Sequence, residues 1–130
     1  MKHTLLILQI VLLSFLSVSS TTVFAKENKK ITHVVMVWLK HPGSQKDRAA
    51  FIKASKEFNN FPGIINRHIG VVQASDRVIV DDTFDVAVTV TMKNKKALNA
   101  YLNSPKHKKI LKEKIKPLVN RVVAYDFISE

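Results

Sequence analysis

Nine consecutive residues, Ile31-Thr-His-Val-Val-Met-Val-Trp-Leu39, contain no glycine or proline and are rich in β-branched and aromatic side chains. Such a run reads as a β-strand, because branched and aromatic groups fit a pleated surface. Successive strand side chains point to opposite faces. That puts His33, Val35, Val37 and Leu39 on one side and Val34, Met36 and Trp38 on the other. Both faces are apolar, so both must be covered. In a chain of 130 residues, long enough for one domain, helices can cover one face of a sheet. The second face then calls for another sheet or another subunit.

The remaining elements follow from their punctuation. His41-Pro42-Gly43 breaks the first strand, and Ser44 with Asp47 three residues on resembles a capping box, with Asp in place of the usual Glu. A helix is expected from Gln45 to Phe58, burying Ala50, Phe51, Ala54 and Phe58, with Lys46, Arg48, Lys53 and Lys56 directed elsewhere. Pro62-Gly63 fits a turn. A second strand is expected from Ile64 to Gln73, with Ile65, Arg67, Ile69 and Val71 sharing a side. Asp76, Arg77, Asp81 and Asp82 surround Val78-Ile79-Val80 in a loop whose apolar centre packs on the domain or on a partner. A third strand, Phe84 to Met92, alternates Phe84, Val86, Val88, Val90 and Met92 against Asp85, Ala87, Thr89 and Thr91. Asn94 caps a helix over Lys95 to Leu102. Ser104-Pro105 restarts it, with the serine hydroxyl expected to accept an orphan backbone N–H. Pro117 marks a boundary near Lys116, and a last strand spans Arg121 to Ile128. Strand-helix-strand, twice over, is the ferredoxin-like βαββαβ order, an α+β fold with a four-stranded antiparallel sheet and helices on one face. The uncovered face, carrying Met36 and Trp38, is expected to form the interface of a homodimer, since a large apolar patch is usually an interaction surface.

Upstream, residues 1–25 read as a signal peptide: a weakly basic start at Lys2, an apolar run from Leu5 to Leu16, and Val23-Phe24-Ala25 before a cut after Ala25. The apolar run is shorter than the ~20 residues of a membrane span, so no stable span is expected after cleavage. Residues 26–30 form a polar leader and residues 31–130 the domain. The chain has no cysteine, which closes the lipid-anchored route. Export without disulfides points to the periplasm or the medium. Cleavage removes only Lys2 from the charged set, so the chain stays close to its formal +11. Much of that excess lies between Lys93 and Lys116, where nine lysines face the single acid Glu113. Such a patch attracts nucleic acid, anionic lipid or an acidic ligand, or is simply a solvated helical face. The lack of interleaved aromatics argues against nucleic acid, which is not expected as a partner.

The candidate chemistry gathers between Tyr101 and His107. His107 is the third residue of the restarted helix, where the helix dipole and Lys106, Lys108 and Lys109 disfavour an imidazolium. A neutral histidine can act as a base, and Tyr101 lies close by along the chain. His33, His68 and His107 lack the spacing of a metal site, and neither a glycine-rich phosphate loop nor a nucleophile elbow occurs. No metal and no cofactor are expected.

Three stretches carry a resemblance: the opening strand Ile31 to Lys40, the turn Phe61-Pro-Gly-Ile64, and the segment Ala97-Leu-Asn-Ala-Tyr-Leu-Asn-Ser-Pro-Lys-His107 continuing into Lys116-Pro-Leu-Val-Asn-Arg-Val-Val-Ala-Tyr-Asp-Phe127. In this order they resemble the stress-responsive A/B barrel family, also called Dabb, of dimeric α/β barrels. In its plant polyketide-cyclising members the corresponding histidine is a general base, assisted by the tyrosine and a first-strand histidine. The resemblance thus implies those roles for His107, Tyr101 and His33, in a pocket including Val35 and Val86. Val86 replaces a further pocket histidine of those cyclases, and Ser104 stands where the family tends to carry another. The expected function is therefore that of an exported homodimer binding a small apolar or aromatic ligand. The alternative is a cofactor-free cyclase, isomerase or monooxygenase-like enzyme with His107 as base.

Overall fold

The computed structural model describes residues 29–130; the expected signal peptide and its cut after Ala25 lie outside them. Strands β1 (Ile31–Leu39), β2 (Ile64–Val71), β3 (Val86–Met92) and β4 (Val119–Ile128) form one antiparallel sheet in the order β2-β3-β1-β4. Helices α1 (Gln45–Ser55), α2 (Lys95–Asn103) and α3 (Pro105–Ile110) cover one face. Short 3-10 turns follow α1 at Lys56–Phe58 and precede β4 at Lys116–Leu118, and a π-helical stretch, Leu111–Ile115, extends α3. This is the ferredoxin-like α+β arrangement expected from the order of elements. Among the described residues no helix is long and apolar enough to cross a membrane.

The alternation in β1 and β3 sets the core. Ile31, Val37 and Leu39 of β1 and Val86, Val88, Val90 and Met92 of β3 are buried beneath the helices. They meet Phe51 and Ala54 of α1, Phe58, Phe61, Leu98 and Tyr101, and Ile110 and Ile115. Burial of each large side chain contributes about 1.5–3 kcal/mol. Gly63 shows how closely the layers approach. Its φ is +85°, and a Cβ there would stand 2.6 Å from the Cβ of Ala97. Only glycine suits both the left-handed turn and that clearance.

Several local expectations need correction. On α1, Ala50 is exposed and the inward stripe runs through Arg48, Phe51, Ser55 and Phe58, at three- and four-residue spacing. Ser44 does cap this helix, its Oγ accepting from Asp47 N at 3.2 Å. Asp47 does not close the box, because its carboxylate, shorter than that of Glu, bonds His41 Nδ1 at 2.7 Å. Asn94 Oδ1 caps α2 through Ala97 N at 2.9 Å. Ser104, by contrast, makes no side-chain cap bond. Its carbonyl accepts from Lys108 N at 3.0 Å, and the φ preset by Pro105 restarts the helix without the hydroxyl. The third strand begins at Val86, so its alternation does not govern Asp85. That side chain turns inward and is buried.

The second sheet face carries Thr32, Val34, Met36 and Trp38 from β1. Opposite them in register stand Thr91, Thr89 and Ala87 of β3 and Phe127, Tyr125, Val123 and Arg121 of β4. Tyr125 and Phe127 remain 59% and 53% exposed. Trp38 is partly covered, by the Arg121 guanidinium 4.4 Å from its ring centroid and by a hydrogen bond from Nε1 to Thr83 Oγ1 at 3.0 Å. In the loop after β2, Val78 and Ile79 are 101% and 84% exposed while Val80 is half-buried, so the first two residues of that apolar centre do not pack on their own domain.

Candidate functional site

Between the helical layer and the sheet lies a cavity of ≈ 200 Å³. Its floor is the helix-facing side of the sheet, with His33, Val35 and Val37 from β1, Val88 and Val90 from β3, and Val122 and Ala124 from β4. Its roof comes from Phe51 and Ser55 of α1, Phe58, Tyr101 and Leu102 of α2, His107, and the π-helical Leu111 and Ile115. Leu111, Val122 and Ala124 line it and are themselves exposed, so the mouth opens between the π-helical stretch and edge strand β4.

The sequence candidates His33, Tyr101 and His107 all reach this cavity. The restart at Ser104-Pro105 folds α3 back onto α2, so that the rings of Tyr101 and His107 meet edge-on with centroids 4.4 Å apart. Phe58 stands 5.1 Å from His107 and Phe61 5.1 Å from Tyr101. Edge-on aromatic pairs contribute about 0.5–1.5 kcal/mol each beyond burial, and this cluster fixes both rings. His107 is buried, and its Nδ1 has no hydrogen-bond partner among the described residues. Its pKa lies below the ordinary 6.5, chiefly through burial and then through the charges of His33 and Lys108. The direction agrees with the sequence reading, but the leading cause is desolvation rather than the helix end. Burial also raises the Tyr101 pKa above 10.0, with the Arg67 charge opposing it, so the phenol stays protonated at neutral pH.

His33 faces the helices and lines the cavity, and its Nδ1 lies 2.6 Å from Asp126 Oδ1. An ionised carboxylate only accepts, so Nδ1–H is the donor. Val35 lines the cavity; Val86 does not. Val86 is fully buried opposite Val37, and β3 presents Val88 and Val90 to the space. Met36 and Trp38 lie on the other sheet face, away from this site. His41 bonds Asp47, and His68 accepts from Asn66 Nδ2. Among the described residues no group of three His, Asp or Glu could hold a metal ion.

Two residues escaped the sequence reading of the site. Asp126 was legible only through the β1–β4 register that sets it opposite His33. Arg67 stands opposite Val90 on the helix-facing side of β2. Its Nη1 donates to Asn59 Oδ1 at 2.9 Å, its Nη2 donates to Ser55 Oγ, and its guanidinium carbon lies 5.9 Å from the Phe58 ring centroid. The signal was present: an arginine sharing a strand face with Ile69 is charge on an apolar side. Chemically, the site joins a neutral imidazole, a phenol, a guanidinium and a His–Asp pair to an otherwise apolar chamber.

The sequence profile of the stress responsive A/B barrel domain matches residues 31–129. Among curated proteins no sequence matches the chain. Solved structures that resemble it include a Dabb family protein with a ferredoxin-like fold from Mesorhizobium loti, 18% identical, with TM-score 0.65 over 78% of this chain and 98% of that one. A hydroxynitrile lyase from Passiflora edulis is 21% identical, with TM-score 0.66 over 79% and 95%. A dimeric ferredoxin-like protein of unknown function from Thermobifida fusca is 20% identical, with TM-score 0.63 over 78% and 92%.

Proposed function

Since the chain belongs to the stress-responsive A/B barrel family, we propose that it acts as a homodimer holding one small apolar or aromatic molecule in the cavity between sheet and helices. The observation that carries this reading is the chamber itself: a space of ≈ 200 Å³ walled by valines, phenylalanines and leucine, with a few convergent polar groups. Binding sites for small molecules have this composition. The volume suits a single ring with small substituents, since an apolar cavity of about 150 Å³ already takes up benzene. A thermal-shift screen with single-ring aromatics, quinones and polyketide-like compounds tests it. Stabilisation by some of the single-ring compounds is expected, and no stabilisation by any compound overturns the reading.

The dimer rests on the open sheet face. Val34, Met36, Trp38, Tyr125 and Phe127 form an apolar surface, and exposed Val78 and Ile79 add a second apolar feature. The Thermobifida fusca structure of the same fold is described as dimeric. Light scattering is expected to give twice the chain mass, and Trp38→Glu to halve it. A monomeric wild type overturns the dimer. We also propose export, with the mature chain beginning at Lys26; N-terminal sequencing of the extracytoplasmic fraction checks this, and an intact leader there rules it out.

A second reading, catalysis without a cofactor, is favoured by one observation: the unpaired Nδ1 of a neutral, buried His107 beside the Tyr101 ring. That arrangement supports proton removal from an activated carbon, with Tyr101 or His33 donating to the developing oxyanion. A ligand found in the screen is then followed for conversion. In His107→Ala, loss of conversion with retained binding supports the enzyme; unconverted ligand in the wild type leaves the binding protein.

A further inference from the structure

We propose that the cavity selects an anion, specifically a single-ring aromatic carboxylate whose carboxylate group is received by Arg67. This deepens the ligand-binding reading and rests on it. Charge in the chamber is unbalanced. Arg67 lines an apolar chamber, its Nε is buried, and that atom has no hydrogen-bond partner among the described residues. The polar groups its guanidinium meets are neutral: it donates to Asn59 Oδ1 and Ser55 Oγ, and the Tyr101 phenol is a third neighbour. Among the described residues no carboxylate lies within ion-pair distance of it. A guanidinium does not give up its proton in a protein, so it cannot escape the cost of burial by becoming neutral. A half-buried cation without a counter-charge is costly, and an anion entering the chamber offsets that cost.

The surroundings favour the same ligand. Asn59 and Ser55 take two of the five guanidinium N–H groups and Tyr101 lies beside the same guanidinium, which still leaves donors for the planar, two-oxygen geometry of a carboxylate. Tyr101 adds a protonated phenol to the same wall, and His107 adds a donor there in the tautomer that carries its proton on Nδ1. Asp126 does not line the cavity, and its carboxylate is engaged by His33, so it repels an entering anion less than a free carboxylate on the floor would. Outside, the nine lysines from Lys93 to Lys116 are all exposed on the helical layer, and a surface of one sign raises the local concentration of the opposite one. Val35, Val37, Val88 and Val90 on the floor and Phe58 on the roof supply a slot for a ring.

Calorimetric titration of the purified protein with benzoate, benzamide and benzylamine separates charge from shape, because the three are nearly the same size. Benzoate is expected to bind at least about tenfold more tightly than benzamide, and benzylamine not measurably, in keeping with the strength of charge-assisted hydrogen bonds. Arg67→Gln is expected to bring benzoate affinity down to about that of benzamide in the same variant, removing the preference, and Arg67→Lys to retain part of it. Benzamide binding as tightly as benzoate overturns the anion inference and leaves the ligand reading standing. Binding of none of the three sinks both. Unchanged benzoate affinity in Arg67→Gln moves the anion elsewhere and overturns the assignment. Should circular dichroism show Arg67→Gln unfolded, the wild-type comparison and Arg67→Lys decide the question.

Discussion

Two polar groups of the same domain, buried Asp85 and half-buried Arg67, are treated in opposite ways. Asp85 has a full set of partners: Oδ2 accepts from Leu39 N at 2.9 Å, and Oδ1 accepts from Gly43 N at 2.7 Å and from Arg48 Nη2 at 3.1 Å. It ties the end of β1, the turn after it and the first turns of α1 into one joint. Arg67 has neutral partners and an orphaned Nε, and nearby His107 has an orphaned Nδ1. Buried polar groups in folded proteins are nearly always paired. A saturated one is therefore architecture, whereas unsaturated ones facing a cavity mark where something else is to be held.

The largest test of that contrast is Asp85→Ala. Removing one member of a buried, hydrogen-bonded ion pair leaves Arg48 and two backbone N–H groups without their acceptor, and a loss of about 3–5 kcal/mol is expected in urea unfolding. A loss below about 1 kcal/mol would dissolve the contrast from its saturated side.

Acid titration comes next, because unpaired His107 and saturated Asp85 act in different pH windows. The folded pKa of His107 lies below the unfolded 6.5, so as the pH falls the unfolded chain takes up the proton first. The stability owed to neutral His107 is complete above about pH 6.5 and declines below it, by at most about 1.4 kcal/mol per pH unit. Burial pushes the Asp85 carboxyl up, but Gly43 N, Leu39 N and Arg48 together outweigh it and the net shift is downward from 3.8. Its contribution is present above pH 3.8 and is lost as the pH falls through the lower folded value. His107→Gln is expected to flatten the stability profile just below pH 6.5 and to leave the more acidic limb unchanged; a steeper limb near pH 6 in the variant contradicts the assignment.

Smaller still is the response to Arg67→Met in the absence of ligand. Replacing an uncompensated cation by an apolar side chain of similar length is expected to change stability by less than about 1 kcal/mol, in either direction. A loss as large as that of Asp85→Ala would make Arg67 a structural group. The smallest expected effect is that of Ser104→Ala, below about 0.5 kcal/mol because its hydroxyl caps nothing. Ser44→Ala and Asn94→Ala, which remove real caps, are each expected to cost about 1 kcal/mol by the same measurement.

The sheet was legible in the sequence because the period-two pattern of β1 and β3 is uninterrupted, and because Pro62-Gly63 and the caps at Ser44 and Asn94 punctuate it. Tyr101 and His107 were legible as a pair from the helix restart, and His33 joined them through the family resemblance, with a strand phase compatible with that place. Asp85 and Arg67 were not, for different reasons. Alternation holds only inside a ladder, and Asp85 lies just outside one, where the chain turns its carboxylate toward backbone donors distant in sequence. Arg67 was assigned to the correct side of β2, but the sequence does not say that α1 and its 3-10 turn bring Ser55 and Asn59 over that strand while bringing no acid. Ser104 shows the converse: a residue with the right chemistry for a cap, made redundant by the proline after it.

The central position of β1 has a consequence in time. It is the first strand of the domain to emerge, yet its neighbours are β3 and β4, and its pairing with β4 joins Ile31 to Ile128 across nearly the whole domain. Local contacts cannot complete it. Topologies dominated by such distant pairings fold slowly, and until the last strand arrives a segment apolar on both sides lacks one of its two neighbours, a state prone to association. The strand that nucleates the architecture on paper is the one the chain must keep waiting longest.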